Sequence, residues 1–473
     1  MAVQTDACGA MAQDGVPDPV LDYGAGDAGR VPRLCGGDIL APAFAMTIGA
    51  WITAYILRTP LIQDQLDGRW TIGLMLTVVF FVGIFAGRYS KKGAWGAALA
   101  GCLSGLLDLL ILGSLLHDES SGSIVPAAGI YILGSVLTNG LAAGLGGLIG
   151  ACFPSQNRDD LRWTAVFAAI LAAATLPLIT AGGLVTAFHA GLAVPDWPRS
   201  YGYNMFLFPL SRMQEVKGNF LEHAHRLMGA LVGFTILTVA VYYTVAEWPG
   251  WRNLFESRRS RRIWFAWSLF VAVGIQGALG GTRVTERSIL LAMIHGVFAQ
   301  IVFASMVLLA VVSTRRFDEL PQKTAATARH DRTLTAVFLL ALLAQIMLGA
   351  LVRHINAMVL VHVSMAAIVA LLALTAGFRA VTLQAEKPLR RAGLAVLILV
   401  GVQLLLGIIA LALRPAPGDQ PTALAALLTT AHQANGALLL AATATLTLWT
   451  WRLMLPAGEV VAEGMGRVWA EPA

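Results

Sequence analysis

The sequence predicts an all-α polytopic membrane protein, with two pseudo-symmetric four-helix transmembrane bundles (eight spans) preceded by about four extra transmembrane helices. Three observations carry that expectation. Of the 473 residues, 57% are hydrophobic and 13% charged, whereas a soluble chain of this length carries about a quarter charged residues. Apolar runs close to the roughly 20 residues that cross a bilayer recur along the chain. A set of histidines and a glutamine–glycine signature repeat across the last eight of those runs.

Taken in order, residues 1–38 hold Asp6, Asp14, Asp18, Asp22, Asp27 and Asp38 against Arg30 and Arg33. A signal peptide needs a basic start and an apolar centre, and a mitochondrial presequence avoids acids, so this segment reads as a disordered acidic leader. Twelve spans are expected near 39–57, 70–87, 94–116, 124–153, 163–188, 220–246, 263–281, 288–313, 333–352, 356–376, 392–413 and 422–450. The first four, in an accessory region over 39–155, are rich in Gly and Ala, as in Leu141–Gly150; small residues let helices approach closely. Asp108 falls within the third span and Asn139 within the fourth. A carboxyl inside a membrane marks function by default, with helix capping and subunit contact as the alternatives. The polar linker Pro154–Arg162 is the expected boundary, followed by a first bundle over 163–313, a second over 333–452 and a C-terminal tail over 453–473.

Loop charge checks the count. With the leader inside, the inside segments carry 23 Lys and Arg and the outside loops 9, Arg226 being the remaining one of 33. Both termini are therefore expected in the cytoplasm. The net charge of +6 sits in short loops between spans, which is membrane topology and excludes a nucleic-acid partner. Cys8, Cys35, Cys102 and Cys152 form no CxxC or zinc spacing, and residues 153–473 contain no cysteine. Any metal in that part has nitrogen or oxygen ligands.

The last eight spans read as two copies of a four-helix unit. Gly182–His189 parallels Gly349–Asn356, and Gln-x-x-Leu-Gly recurs at Gln276, Gln345 and Gln403. His225 and His295 are 70 residues apart, as are His362 and His432. Each of these four stands near the start of an even-numbered span, so all four imidazoles are expected at one depth in the outer half of the membrane. Two facing imidazoles across a four-helix core are a common way to hold haem iron. Taken singly, each histidine reads equally as an interfacial or helix-bridging residue. Non-haem metal usually adds carboxylates, and only Glu222 stands at that depth. Glu222, His225 and Arg226 share one helical face, whereas His223 points elsewhere. Arg226, Arg283 and Arg353 lie near the outer ends, where they either pair with haem propionates or snorkel. His189, His354 and the loop Val194–Tyr203 are expected to roof the first unit, whereas His117 and His330 are expected in loops.

These motifs resemble the heme A synthase family of cytochrome oxidase assembly enzymes over roughly 163–452. The resemblance rests on Pro195-Asp-Trp-Pro198, Glu222-x-x-His225-Arg226, Gln276–Val284, Leu291–Gln300 and the two later histidines. It implies two bundles, one binding heme O as substrate and the other heme b as cofactor, with a methyl group of the substrate porphyrin oxidised to a formyl. His225 and His295 would frame the substrate iron, His362 and His432 would ligate heme b iron, and Glu222 would be the catalytic carboxylate. The implied setting is a bacterial plasma membrane with the haem sites toward the outer face. The implied partners are an electron donor, heme O synthase or cytochrome oxidase assembly factors, and membrane lipid. The first four spans are extra to the family's eight, and no outer-loop cysteine pair is present. A bis-histidine membrane cytochrome b that only carries electrons accounts for the histidines but not for Glu222. A twelve-span transporter would need charges near the bilayer midplane, where Asp108 is the only convincing one.

Overall fold

In the computed structural model, residues 36–59, 67–116, 124–155, 161–209, 212–213, 216–250, 254–255, 257–415, 419–457, 459–460 and 468–469 are described. Among the described residues, eleven helices are long and apolar enough to cross a membrane, by length and composition. They are α1 (Gly37–Leu57), α2 (Gly68–Tyr89), α5 (Ala128–Cys152), α6 (Trp163–Ala187), α7 (Lys217–Ala246), α8 (Arg258–Thr285), α9 (Ile289–Val312), α11 (Ala328–Ile355), α12 (Val359–Thr382), α13 (Lys387–Ala412) and α14 (Ala423–Leu453). The short α10 (Arg315–Glu319) links α9 to α11.

The expected third span is the exception. Over 94–116 the chain forms α3 (Gly93–Leu107), breaks at Asp108, and continues as α4 (Leu109–Leu112) and a 3-10 turn over Gly113–Leu116. At 1.5 Å per residue α3 is only about 22 Å long, short of a roughly 30 Å hydrocarbon layer. Asp has poor helix propensity because its side chain competes for nearby backbone groups. Asp108 is 3% exposed, and its Oδ1 has no hydrogen-bond partner.

Small residues bring α2, α3 and α5 into backbone contact. A Cβ added to Gly87 would stand 2.6 Å from the Gly147 Cα, and one on Gly105 would stand 2.6 Å from the Ser135 carbonyl oxygen. No side chain fits at such a crossing. The α1 helix packs on α2 and α3 on one side and on α6 and α7 on the other. It begins two residues earlier than expected, so Asp38 belongs to α1 rather than to the leader; its carboxylate accepts a 2.6 Å bond from Ser90 Oγ. Residues 1–35, His117 and linker residues 156–160 lie outside the described residues.

Among the remaining helices, α6, α7, α8 and α9 each pack on the next, and α9 returns to α6. The same closed order holds for α11, α12, α13 and α14, while α9 and α14 pack on each other between the two sets. Pulled together by apolar burial, their interiors are filled by residues such as Phe167, Leu171 and Ile236 in one set and Phe338, Val396 and Leu440 in the other. At the end away from the histidines, Arg262 donates to Glu247 Oε2 at 2.6 Å and to Asp318 at 3.2 Å, and Arg162 also pairs with Asp318. His330, expected in a loop, stands exposed in the first turn of α11. Two short strand pairs were not anticipated: Lys323–Thr324 runs parallel to Met454–Leu455, and Glu459–Val460 antiparallel to Val468–Trp469.

Candidate functional site

The histidines that the sequence paired are paired in space. The ring centroids of His225 on α7 and His295 on α9 are 6.4 Å apart with an interplanar angle of 82°. Those of His362 on α12 and His432 on α14 are 6.5 Å apart at 78°. Two imidazole nitrogens each about 2 Å from one metal would put their ring centroids about 6 Å apart. Both pairs meet that spacing.

Each ring lies against a glycine of the preceding helix. A Cβ on Gly182, Gly280, Gly349 or Gly407 would stand 2.8, 2.9, 3.3 or 3.0 Å from Cε1 of His225, His295, His362 or His432 respectively. Four residues before each glycine come Leu178, Gln276, Gln345 and Gln403, whose backbone carbonyls face the same rings. A helical carbonyl bonds the N–H four residues on, so a glycine at that position bares the carbonyl to a neighbouring helix. The repeated Gln-x-x-Leu-Gly signature is therefore the seat of a histidine.

In three seats the glutamine side chain adds a grip. Gln276 Nε2 lies 3.1 Å from His295 Nδ1 and donates to the His295 carbonyl at 2.9 Å. Gln345 Nε2 donates to the His362 carbonyl at 2.9 Å and lies 3.4 Å from its ring. Gln403 Nε2 lies 3.3 Å from the His432 ring, and its Oε1 accepts from Asn435 at 2.7 Å.

These pairs suit a haem-type group. Nδ1 of His225, His362 and His432 is buried, and the seat carbonyl faces the ring without a hydrogen bond of normal geometry to that atom; a group left so calls for an explanation, a water or an ion among them. Among the described residues no three His, Cys, Asp or Glu side chains gather as a metal site, and each pair offers two imidazoles. A cavity of about 270 Å³ lined by Trp51, Phe206 and Phe234 lies elsewhere; Phe234, nine residues past His225, is on the opposite face of α7.

Glu222 and Arg226 do more than share a face with His225. Glu222 is 2% exposed; its Oε2 accepts from the Val194 amide at 2.9 Å and its Oε1 from Arg226 at 2.8 Å. Arg226 also donates to the carbonyls of Val194 and Asp196 at 2.8 and 2.6 Å. Within the loop, Asp196 accepts from the amides of Tyr201 and Gly202 at 2.6 and 2.7 Å, and the Trp197 ring packs on Gly281. His223, which the sequence reading set aside, is 1% exposed and contacts Ser200 Oγ at 3.1 Å. The outer loop is thus latched to the start of α7 and the end of α8. Its polar pattern was the only sequence signal for that latch.

Arg283 donates to the Gly191 carbonyl at 3.1 Å. Arg353, between the two sets of helices, donates to the Gly183 carbonyl at 2.6 Å, and its buried Nε has no partner. His354 follows it at the end of α11, and His189 lies exposed with φ 52° in the outer loop.

No curated protein matches the chain. Residues 165–361, which include Glu222, His225 and His295, match the family model COX15-CtaA, cytochrome oxidase assembly protein, and the resemblance read from the motifs holds over that segment.

Proposed function

We propose that this protein is a heme A synthase-like oxidoreductase that converts a methyl group of heme O to the formyl of heme A during cytochrome oxidase assembly. One observation carries the reading: two imidazole pairs, 6.4 and 6.5 Å between centroids and each near perpendicular, repeat on equivalent helices. The closed packing orders of α6–α9 and α11–α14 support two pseudo-symmetric four-helix bundles. His225 and His295 then frame the substrate, and His362 and His432 ligate heme b. Bound there, heme b supplies one-electron chemistry.

The chain's own residues do the rest. Gly182, Gly280, Gly349 and Gly407 make room for the rings, and the bared carbonyls orient them. Glu222, held by Arg226 and the Val194 amide, keeps a negative charge one helical turn from His225. That charge stabilises positive charge developing on the methyl carbon. The latched loop roofs the first site. Arg226, Arg283 and Arg353 lie near the outer ends, where they would pair with propionates. With water supplying the formyl oxygen, each methyl releases four electrons and four protons, which pass to a redox partner, with heme O synthase or other assembly factors supplying and receiving haem. The setting is a bacterial plasma membrane with both termini cytoplasmic and the sites toward the outer face. The first four helices, 39–155, are an accessory module.

Identification of the haems in purified protein tests this. A mixture of heme b with heme O or heme A is expected; a colourless preparation that takes up no porphyrin overturns it. The electron-carrier reading is favoured by one observation, that both Glu222 oxygens are already engaged in the loop latch.

A further inference from the structure

The four histidine seats are alike in glycine and carbonyl but not in grip. Gln276, Gln345 and Gln403 each place an amide nitrogen within 3.1–3.4 Å of the ring they face. At the fourth seat the equivalent residue is Leu178, whose side chain packs in the apolar interior. Pro177, inside α6, stands directly before it. Proline has no N–H to give to the Ala173 carbonyl, so the α6 ladder is interrupted beside this seat and no other.

We infer that His225 is the exchangeable histidine of the first site: its ring swings away to admit and release the haem ligand, while His295, His362 and His432 stay fixed. The inference rests on the haem reading. An axial imidazole leaves only by turning off its seat. Three of the rings must then leave a glutamine amide, whose oxygen is the atom able to accept the N–H of an iron-bound ring, each such hydrogen bond opposing the move by up to roughly tenfold in equilibrium. His225 turns against the Leu178 side chain, which offers no such hydrogen bond; the backbone carbonyl that faces the ring is common to all four seats. A substrate has to leave after each turnover and a cofactor has to stay, and the missing grip falls in the pair proposed to hold the substrate. The α7 backbone does not need to move, since Glu222 and Arg226 anchor it to the outer loop.

Carbon monoxide is the probe, because a ferrous iron held by two histidines binds it only as one of them departs. With reduced, haem-loaded full-length protein, the first site is expected to take up carbon monoxide and the second to resist it; the His362→Ala and His295→Ala variants tell the two sites apart. Leu178→Gln, which supplies the fourth grip, is expected to slow uptake at the first site by up to roughly tenfold. Gln345→Leu is expected to make the second site reactive. The low-spin spectrum of the second site reports whether Leu178→Gln has folded. Where it has not, His225→Ala is expected to keep more first-site haem than His295→Ala. Equal uptake at both sites in the unmodified protein, unchanged uptake in folded Leu178→Gln, or the reverse order of haem retention overturns the inference and leaves the haem reading standing. A colourless unmodified protein overturns both.

Discussion

Glu222 and Arg226, one turn apart on α7, form a 2.8 Å ion pair in which the side chains are only 2% and 9% exposed. The pair is more than local, because Arg226 reaches on to the Val194 and Asp196 carbonyls while Glu222 receives the Val194 amide. The fastening of the loop therefore rests on the same carboxylate that is proposed to supply charge for chemistry.

Two substitutions separate those roles. Glu222→Gln keeps an acceptor for the Val194 amide but removes the charge; it is expected to retain haem and lose formyl haem, as judged by extracting and separating the haems of expressing cells. Glu222→Ala also removes the acceptor for the Val194 amide and for Arg226, at a cost of roughly 3–5 kcal/mol for a buried pair, and should expose Arg199 to trypsin. Normal heme A in Glu222→Gln would assign the residue to the latch alone.

The glycine seats predict a graded series. A Cβ at Gly280 would stand 2.9 Å from the His295 ring and one at Gly349 3.3 Å from His362. Gly280→Ala is expected to displace its ring, with overpacking of roughly 1–3 kcal/mol, whereas Gly349→Ala is accommodated by a few tenths of an ångström. Haem retained per protein, read by absorption, should follow that order.

His362→Ala and His432→Ala should each abolish the low-spin absorption of the second site, because one imidazole cannot supply both axial positions. An unchanged spectrum in either variant would remove that pair from the iron.

At the other end, Arg262→Met leaves Glu247 without its 2.6 Å partner, a loss of roughly 3–5 kcal/mol that thermal unfolding in detergent would register. Asp318, in α10, is a second partner there. Burial alone would raise its pKa, but the Arg162 hydrogen bond and the Arg262 and Arg162 charges hold it below the ordinary aspartate range. Its contribution is therefore present above about pH 4 and lost as pH falls further. Because Asp318 is partly solvated, the effect is below about 1 kcal/mol, and Asp318→Asn should remove it.

Much of this was legible in the sequence. Eleven of the twelve expected spans are helices of spanning length, because long apolar runs leave the backbone no other way to satisfy its hydrogen bonds in lipid. The histidine pairs were legible from their matched places near the starts of even-numbered spans. What escaped was whatever depends on a partner far away in the chain. Asp108 was counted inside a continuous span, but the helix breaks there. His223 pointed away from His225 in helical projection, yet its partner Ser200 belongs to the outer loop. The glutamine signature was visible as a repeat, whereas its purpose emerged only once the facing rings were in place.

The glycine crossings of α2, α3 and α5 also fix how the accessory helices can move. With Gly87 against Gly147 and Gly105 against Ser135 there is no side-chain cushion between them, so they shift as a single keel rather than sliding past one another. Their neighbour α1 packs on both α6, which seats His225, and α7, which carries it. The accessory helices therefore meet the rest of the chain at the two helices that hold one imidazole.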